Sequence, residues 1–333
     1  MKASFNIPSL IFLVLSAVAL PSIAQESTTN NAAPATPSTA KCKYVKVDEM
    51  PFTIERNIPL VSGEVSGVPA RFVVDTGMPM TSLFQNYVEK NGWPLGQADT
   101  KLLGVGGTTE TYTVLAKNVM IDKAKRAQMR MRVAGQSNEH ADGLLGADFL
   151  MQRDLEVDLA ARKLRFFQAL DAQACKNAFL AYWNENASSL PLLSAGWAAD
   201  LRPLVEVTLH GKKLRALIDT SSPRTLVDLK FAKALGIQPA TNAAPIKIGG
   251  IGKSLAQVYP HQFSLLAIGN EEISQPEFGI VDLWGNAKKD EKNIYMSYWV
   301  DSAPEMIIGM DVLYHFRILV AHSQAKLYIG GNK

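Results

Sequence analysis

The chain reads as all-β, mostly strand with a few short helices, folded as two tandem units. Three observations lead there. Four landmarks recur in one order in each half of the chain. The segments between them favour short strands punctuated by Gly and Pro. The length, 333 residues, suits two domains at about 100–200 residues each. An apolar share of 47% against 20% charged residues allows a sizeable buried core. The net charge is +3, with Lys and Arg scattered. Neither a nucleic-acid stripe nor a polybasic membrane patch is present.

From the N-terminus, Lys2 gives a positive start, Ile11 to Leu20 a compact apolar run, and Pro21-Ser22-Ile23-Ala24 small residues at a signal-peptidase site. The run is shorter than the roughly 20 residues of a permanent span. No Cys follows it, which argues against a lipoprotein. Residues 1–24 are therefore expected to be a cleaved export signal, with Gln25 the new N-terminus and a periplasmic or secreted product. Residues 25–43 are largely small, polar and Pro-containing. They are expected to be a disordered leader, because they bury too little apolar surface to offset chain entropy.

The chain has two cysteines, Cys42 and Cys175. In an oxidising compartment an even count suggests a disulfide, which here closes a loop around the first unit. Two buried free thiols are the alternative. Neither Cys has a His or a second Cys at ligand spacing, so metal binding is the least supported use.

The first unit, residues 44–168, holds a strand, a turn and an apolar strand ending in acid, Ile58 to Asp75. The second, residues 200–330, repeats this from Pro203 to Asp219. Gly67 and Gly211 each lie eight residues before the acid, as in a hairpin turn. Thr76-Gly77 follows the first acid and Thr220-Ser221-Ser222 the second. A glycine-rich stretch comes next, Gly104-Val105-Gly106-Gly107 and then Gly249-Gly250-Ile251-Gly252. The fourth landmark is an apolar pair before glycine, Leu144-Leu145-Gly146 and Ile307-Ile308-Gly309. Each unit then ends in a strand, Leu164 to Phe167 and Lys326 to Ile329. The second copy is 19 residues longer between its acid and this glycine, and a loop around Trp284 to Pro304 accommodates the difference. Between the units, residues 169–199 read as a connector. Ala169 to Asn186 has helical composition, with a linker from Ser188 to Ala199. Short helices are also expected at Leu83–Asn91 and Leu229–Leu235.

Apolar-apolar-Asp-Thr-Gly, a glycine-rich flap, then apolar-apolar-Gly resembles the retropepsin-like aspartic proteases. The likeness runs from about Tyr44 to Ile329. Val73-Val74-Asp75-Thr76-Gly77 matches the family's acid loop in full. The second loop departs from it, with Ser221 where Gly is usual. Ser222 is small as the family prefers, and Met78 is not. The resemblance implies one β-barrel-like lobe per copy, with a cleft between the lobes. Retroviral members build their site from two identical chains, and pepsin-like members from two lobes of one chain. This chain resembles the second arrangement made from retroviral-sized parts, so a monomer is expected.

By that resemblance Asp75 and Asp219 are the catalytic pair. Thr76 and Thr220 tie the two loops together, and Gly77 and Ser221 supply backbone N–H groups. Gly104 to Gly107 and Gly249 to Gly252 are flaps over an extended peptide. Two carboxylates close together cannot both ionise readily, so they share a proton and act as base and acid. Sequence alone does not say which takes which role. Such a dyad needs no metal or organic cofactor.

Other chemistries have less behind them. The five His are widely spaced with no His-x-x-x-His pair, and no Gly-x-Ser-x-Gly elbow occurs. Asp148 and Asp311 read as first-turn helix carboxylates favoured by the dipole, and a turn accounts for His140 and Asp142. The five Trp read as core or groove lining. The expected function is an exported aspartic endopeptidase. The alternatives are a peptide-binding module that keeps the cleft without efficient hydrolysis, and an envelope protein using the duplicated barrel as scaffold.

Overall fold

The computed structural model describes residues 41–133, 135, 140–194, 200–239, 244–250, 254–285 and 303–331, with backbone alone at 98–101 and 103. The expected signal and most of the expected leader lie outside the described residues. So does most of the loop expected between Trp284 and Pro304.

The fold is mostly β, and the duplication seen in the sequence is a duplication of topology. In the first lobe the strand order is Thr53–Glu55, Ile58–Val65, Val68–Val74, Gly143–Leu145, Ser82–Leu83, Ala124–Val133, Gly107–Ile121, Gly96–Gly104. Gly107–Ile121 also pairs back onto Ile58–Val65 at Gly63 and Ile121, which closes the sheet into a barrel. The second lobe uses the corresponding order through Leu204–Leu209, Lys212–Ile218, Met306–Ile308, Leu226–Asp228, Glu277–Val281, Ala256–Gln262 and Ile246–Ile248. There the long strand is broken at Phe263 and Ser264. Its second part, Leu265–Ile268, pairs with Leu204–Leu209.

Local chemistry sets these hairpins. The loops Ser66-Gly67 and His210-Gly211 each join strands through two residues of positive φ, 54° and 82°, then 52° and 77°. Both central residues are left-handed, as in the tight turns that match strand twist, and glycine carries the second position without strain. Each lobe has two parallel pairings, and the one that leads to the acid joins Val68–Val74 with Gly143–Leu145 and Lys212–Ile218 with Met306–Ile308. Toward the acid both faces of the longer strands are covered, and Phe72-Val73-Val74 and Ala216-Leu217-Ile218 are apolar without a break. Phe72, Val74, Leu145 and Ile308 are fully buried.

A third sheet joins the halves. Its order is Tyr44–Pro51, Lys163–Ala169, Asp154–Asp158, Phe316–Ala321, Lys326–Gly331, Ser188–Pro191, antiparallel throughout. The halves meet where Leu155 pairs with Val320. Arg317 of the second half forms an ion pair with the buried Asp158 of the first, which Arg165 also contacts at 2.8 Å. Cys42 and Cys175 form a disulfide.

The connector differs from its expected form. Of the stretch from Ala169 to Asn186, only Ala172–Cys175 is helix, capped by the Asp171 side chain on Ala174 N–H. Leu180 and Ala181 are buried against Phe167, Leu319 and Tyr328 of the joining sheet, an irregular packing that outweighs helical propensity. Ser188–Pro191, expected as linker, is an edge strand paired with Lys326–Gly331. The two short helices occur as Gln85–Lys90 and Leu229–Ala234, while Leu83 belongs to a strand.

Candidate active site

Each acid sits where its apolar strand ends beside the parallel apolar-Gly segment. Asp75 N–H donates to Leu145 O and Asp219 N–H to Ile308 O, both at 3.0 Å. The segments after Gly146 and Gly309 then turn under the acid loops. Ala147 N–H donates to Met78 O, and Met310 N–H to Ser222 O, both at 2.8 Å. No side chain fits between these backbones. A Cβ on Gly146 would lie 2.6 Å from Met80 C, and one on Gly309 2.5 Å from Arg224 C. Close approach therefore accounts for the glycine in each apolar-Gly segment.

The two acid loops meet. Thr76 N–H donates to Thr220 Oγ1 at 3.2 Å and Thr220 N–H to Thr76 Oγ1 at 3.1 Å. Each hydroxyl then donates across to the other lobe, Thr76 to Ile218 O at 2.7 Å and Thr220 to Val74 O at 2.5 Å. Four polar groups are satisfied reciprocally at the contact of the lobes, with both threonines 1% exposed.

This lock brings the carboxyls together. A Cβ on Gly77 would lie 2.5 Å from Asp219 Cγ and 2.6 Å from Asp219 Oδ2, so the second acid rests over the first loop's glycine. Asp75 and Asp219 are 5% and 9% exposed. Ser221, where the family usually has glycine, fits because its backbone is not left-handed. Its N–H and its Oγ both donate to Asp219 Oδ1 at 2.8 Å, and Ser222 N–H reaches the same oxygen at 3.3 Å. Met78 packs among Leu60, Val73, Ala141 and Leu144, which explains a large residue at that place.

Burial pushes the Asp75 carboxyl well above the usual range, and the neighbouring Asp219 charge adds to it. The Ser221 hydroxyl and the amides of Gly77 and Met78 act the other way. Burial also raises Asp219, opposed by the donors on Ser221 and Ser222 and by the Arg202 charge. Two neighbouring acids raised by burial, Asp75 further by the Asp219 charge, suit a shared proton.

A cleft of about 690 Å³ lies over the pair. It is lined by both acids and by an apolar wall of the second lobe that includes Leu217, Val258, Trp284 and Ile307. Gly104, Val105, Gly249 and Gly250 of the two glycine-rich stretches line it, while Gly106 and Gly107 are buried. The flaps touch. A Cβ on Gly250 would lie 3.6 Å from Val105 Cβ, and Ser254 N–H donates to Gly106 O at 3.0 Å. Ile251 and Gly252 lie outside the described residues.

Sequence reasoning missed two features. Asp148 and Asp311 do stand in first helical turns, but their carboxylates hold the acid loops. Asp148 Oδ1 accepts from both N–H and Oγ1 of Thr81 at 2.7 Å. Asp311 takes the same two donors from Thr225 at 2.9 and 2.6 Å. Each threonine oxygen in turn accepts the N–H of Gly146 or Gly309. The signal was present, since Thr81 and Thr225 both stand six residues past their acids. The second feature is Arg202, which lines the cleft with Nη1 3.5 Å from Gly77 O and is clamped by Asp200. Superposing the copies on Pro59 and Pro203 places Arg202 opposite Ile58, a charge where the first copy is apolar. Asp142, read from sequence as a turn residue, accepts Arg71 N–H at 2.8 Å, a contact 71 residues away along the chain.

The aspartyl protease family matches this chain twice, over residues 61–149 and 205–312, once for each acid loop with its supporting segments. The chain belongs to the aspartyl protease family. Among solved structures it is similar to a retropepsin-like aspartic protease from Rickettsia conorii. That match has 22% identity and a TM-score of 0.30, and it covers 39% of this chain and 99% of that one. No curated protein matches. Among the described residues of this aspartyl protease relative, no helix is long and apolar enough to cross a membrane.

Proposed function

We propose that the protein is an exported aspartic endopeptidase working as a single chain, with Asp75 and Asp219 as its catalytic pair. The observation that carries this reading is the meeting of two buried carboxyls, one from each lobe, at the floor of a flap-covered cleft. An extended peptide in the cleft would present its scissile carbonyl to the pair. One carboxylate takes a proton from water as the water oxygen attacks the carbonyl carbon, and the other carboxyl protonates the carbonyl oxygen. The flaps exclude bulk water and hold the peptide as an added strand. The apolar lining favours apolar side chains next to the cleaved bond.

The test uses residues 25–333 and the Asp75→Asn variant, each incubated with a mixed pool of unfolded polypeptides from pH 3 to 7 and read by mass spectrometry. Cleavage by the unmodified chain that vanishes in the variant supports the reading and reports side-chain preference. Absence of cleavage at every pH, with both proteins folded, overturns it in favour of a peptide-binding module.

A further inference from the structure

We propose that the two carboxyls have fixed and different roles: Asp219 carries the negative charge and Asp75 holds the proton, a division imposed by the positioning residues Ser221 and Arg202. This rests on the protease reading and deepens it.

The two acids are related by the duplication, yet their surroundings are not. Asp219 Oδ1 receives three donors, Ser221 N–H, Ser221 Oγ and Ser222 N–H. Hydrogen bonds to an ionised acceptor are about twice as strong as neutral ones, so three of them favour the carboxylate. Asp75 Oδ1 is buried and has no hydrogen-bond partner, and although the Ser221 hydroxyl and the Gly77 and Met78 amides also favour an ionised Asp75, burial and the Asp219 charge outweigh them. A charge on that undonated oxygen is costly, whereas a neutral acid is tolerated. The first loop cannot supply the missing hydroxyl, because a side chain at Gly77 would run into the Asp219 carboxyl.

Arg202 adds a second asymmetry. Its counterpart Ile58 packs at the edge of an apolar cluster of the first lobe, so no cation takes the equivalent place there. Asp200, whose side chain is 3% exposed, fixes the guanidinium through Nε to Oδ1 at 2.9 Å and Nη2 to Oδ2 at 2.5 Å. The Arg202 charge acts to lower Asp219, while the Asp219 charge raises Asp75. The other charged groups lining the cleft are Arg56, Arg224 and Glu277 at its exposed rim, and Asp311, which is tied to Thr225.

The reaction then has a direction. The Asp219 carboxylate takes a proton from water, whose oxygen bonds to the carbonyl carbon. The carbonyl π pair moves to oxygen, which takes the Asp75 proton and leaves a gem-diol. Asp219 next passes its proton to the amide nitrogen, and one diol hydroxyl returns a proton to Asp75. The C–N bond breaks with its pair going to nitrogen, giving acid and amine with the dyad restored.

The test is a pH titration by NMR of the mature chain labelled at aspartate carboxyl carbon, with signals assigned through Asp75→Asn and Asp219→Asn. It reads protonation without needing cleavage, so it stands even if the protease reading fails. Where the pair holds one proton, Asp219 is expected to show a carboxylate shift and Asp75 that of the acid. The reverse order, or equal averaged shifts, overturns the proposal. Ser221→Gly and Arg202→Ile should move Asp219 ionisation to higher pH, whereas Arg202→Lys keeps it low. In cleavage assays the acid limb of kcat/KM should rise by about one pH unit in the first two, the low end of what a neighbouring opposite charge does. An unmoved limb with a uniform loss of kcat marks a merely structural role and overturns the assignment. Should Arg202→Ile not fold, since it leaves Asp200 buried and unpaired, Ser221→Ala reads the same property.

Discussion

The side-chain oxygens of Thr76 and Thr220 lie 3.4 Å apart, and each accepts the backbone N–H of the other residue. Because each hydroxyl also donates to a carbonyl of the opposite lobe, the pair couples the position of one acid to the other. Thr76→Val keeps the shape but removes the partner of Thr220 N–H and of Ile218 O. A buried polar group left unmade costs about 1–3 kcal/mol, so urea unfolding should show a loss of that size. Thr220→Val should match it, and the double variant should lose less than the sum, since the two share one network.

Gly77 should be the least replaceable residue of the first loop. An added Cβ 2.5 Å from Asp219 Cγ must displace that carboxyl. A shift near 1 Å in a catalytic group can cost about 100-fold in rate. Gly77→Ala is therefore expected to lose at least that factor in kcat while keeping its circular dichroism spectrum. Full activity in this variant would contradict the placement of Asp219.

Burial of Asp75 has a consequence for stability against pH. Its folded pKa lies above the unfolded one, so the folded state binds more protons than the unfolded state between the two values. Stability is then greatest at low pH and falls as pH rises from the unfolded pKa, about 3.9, toward the folded one. Asp75→Asn removes this loss. The variant should melt above the unmodified chain at pH 7, and the gap should close near pH 3. A gap that grows on acidification would show that Asp75 is stabilised as a charge.

The disulfide spans 133 residues of sequence and ties the segment before the first joining strand to the helical turn Ala172–Cys175 of the connector. Closing a loop of that size restricts the unfolded chain. Replacing both cysteines by Ser should cost about 3–5 kcal/mol in reversible unfolding, with the fold retained.

Much of the site was legible because its parts are local and written twice. Hairpin turns, acid loops and apolar-Gly segments each depend on a few adjacent residues, so Gly67, Asp75 and Leu145 could be placed from their neighbours alone. The connector was misread for the same reason. Helical composition from Ala169 to Asn186 is a local preference, and burial of Leu180 and Ala181 against the joining sheet is not. Asp148 and Asp311 were read by their own helices, whereas their partners Thr81 and Thr225 lie more than sixty residues away.

The sequence by itself determined that the chain is mostly β, that it is duplicated, and that two Asp-Thr loops occupy equivalent places. Tertiary structure decided what those loops do to each other. Only when the lobes close does Asp219 come to rest over Gly77, Thr76 meet Thr220, and Arg202 enter the cleft where Ile58 left the other side apolar. Contacts across 125 to 146 residues depend on the packing of whole lobes, which no short-range pattern encodes.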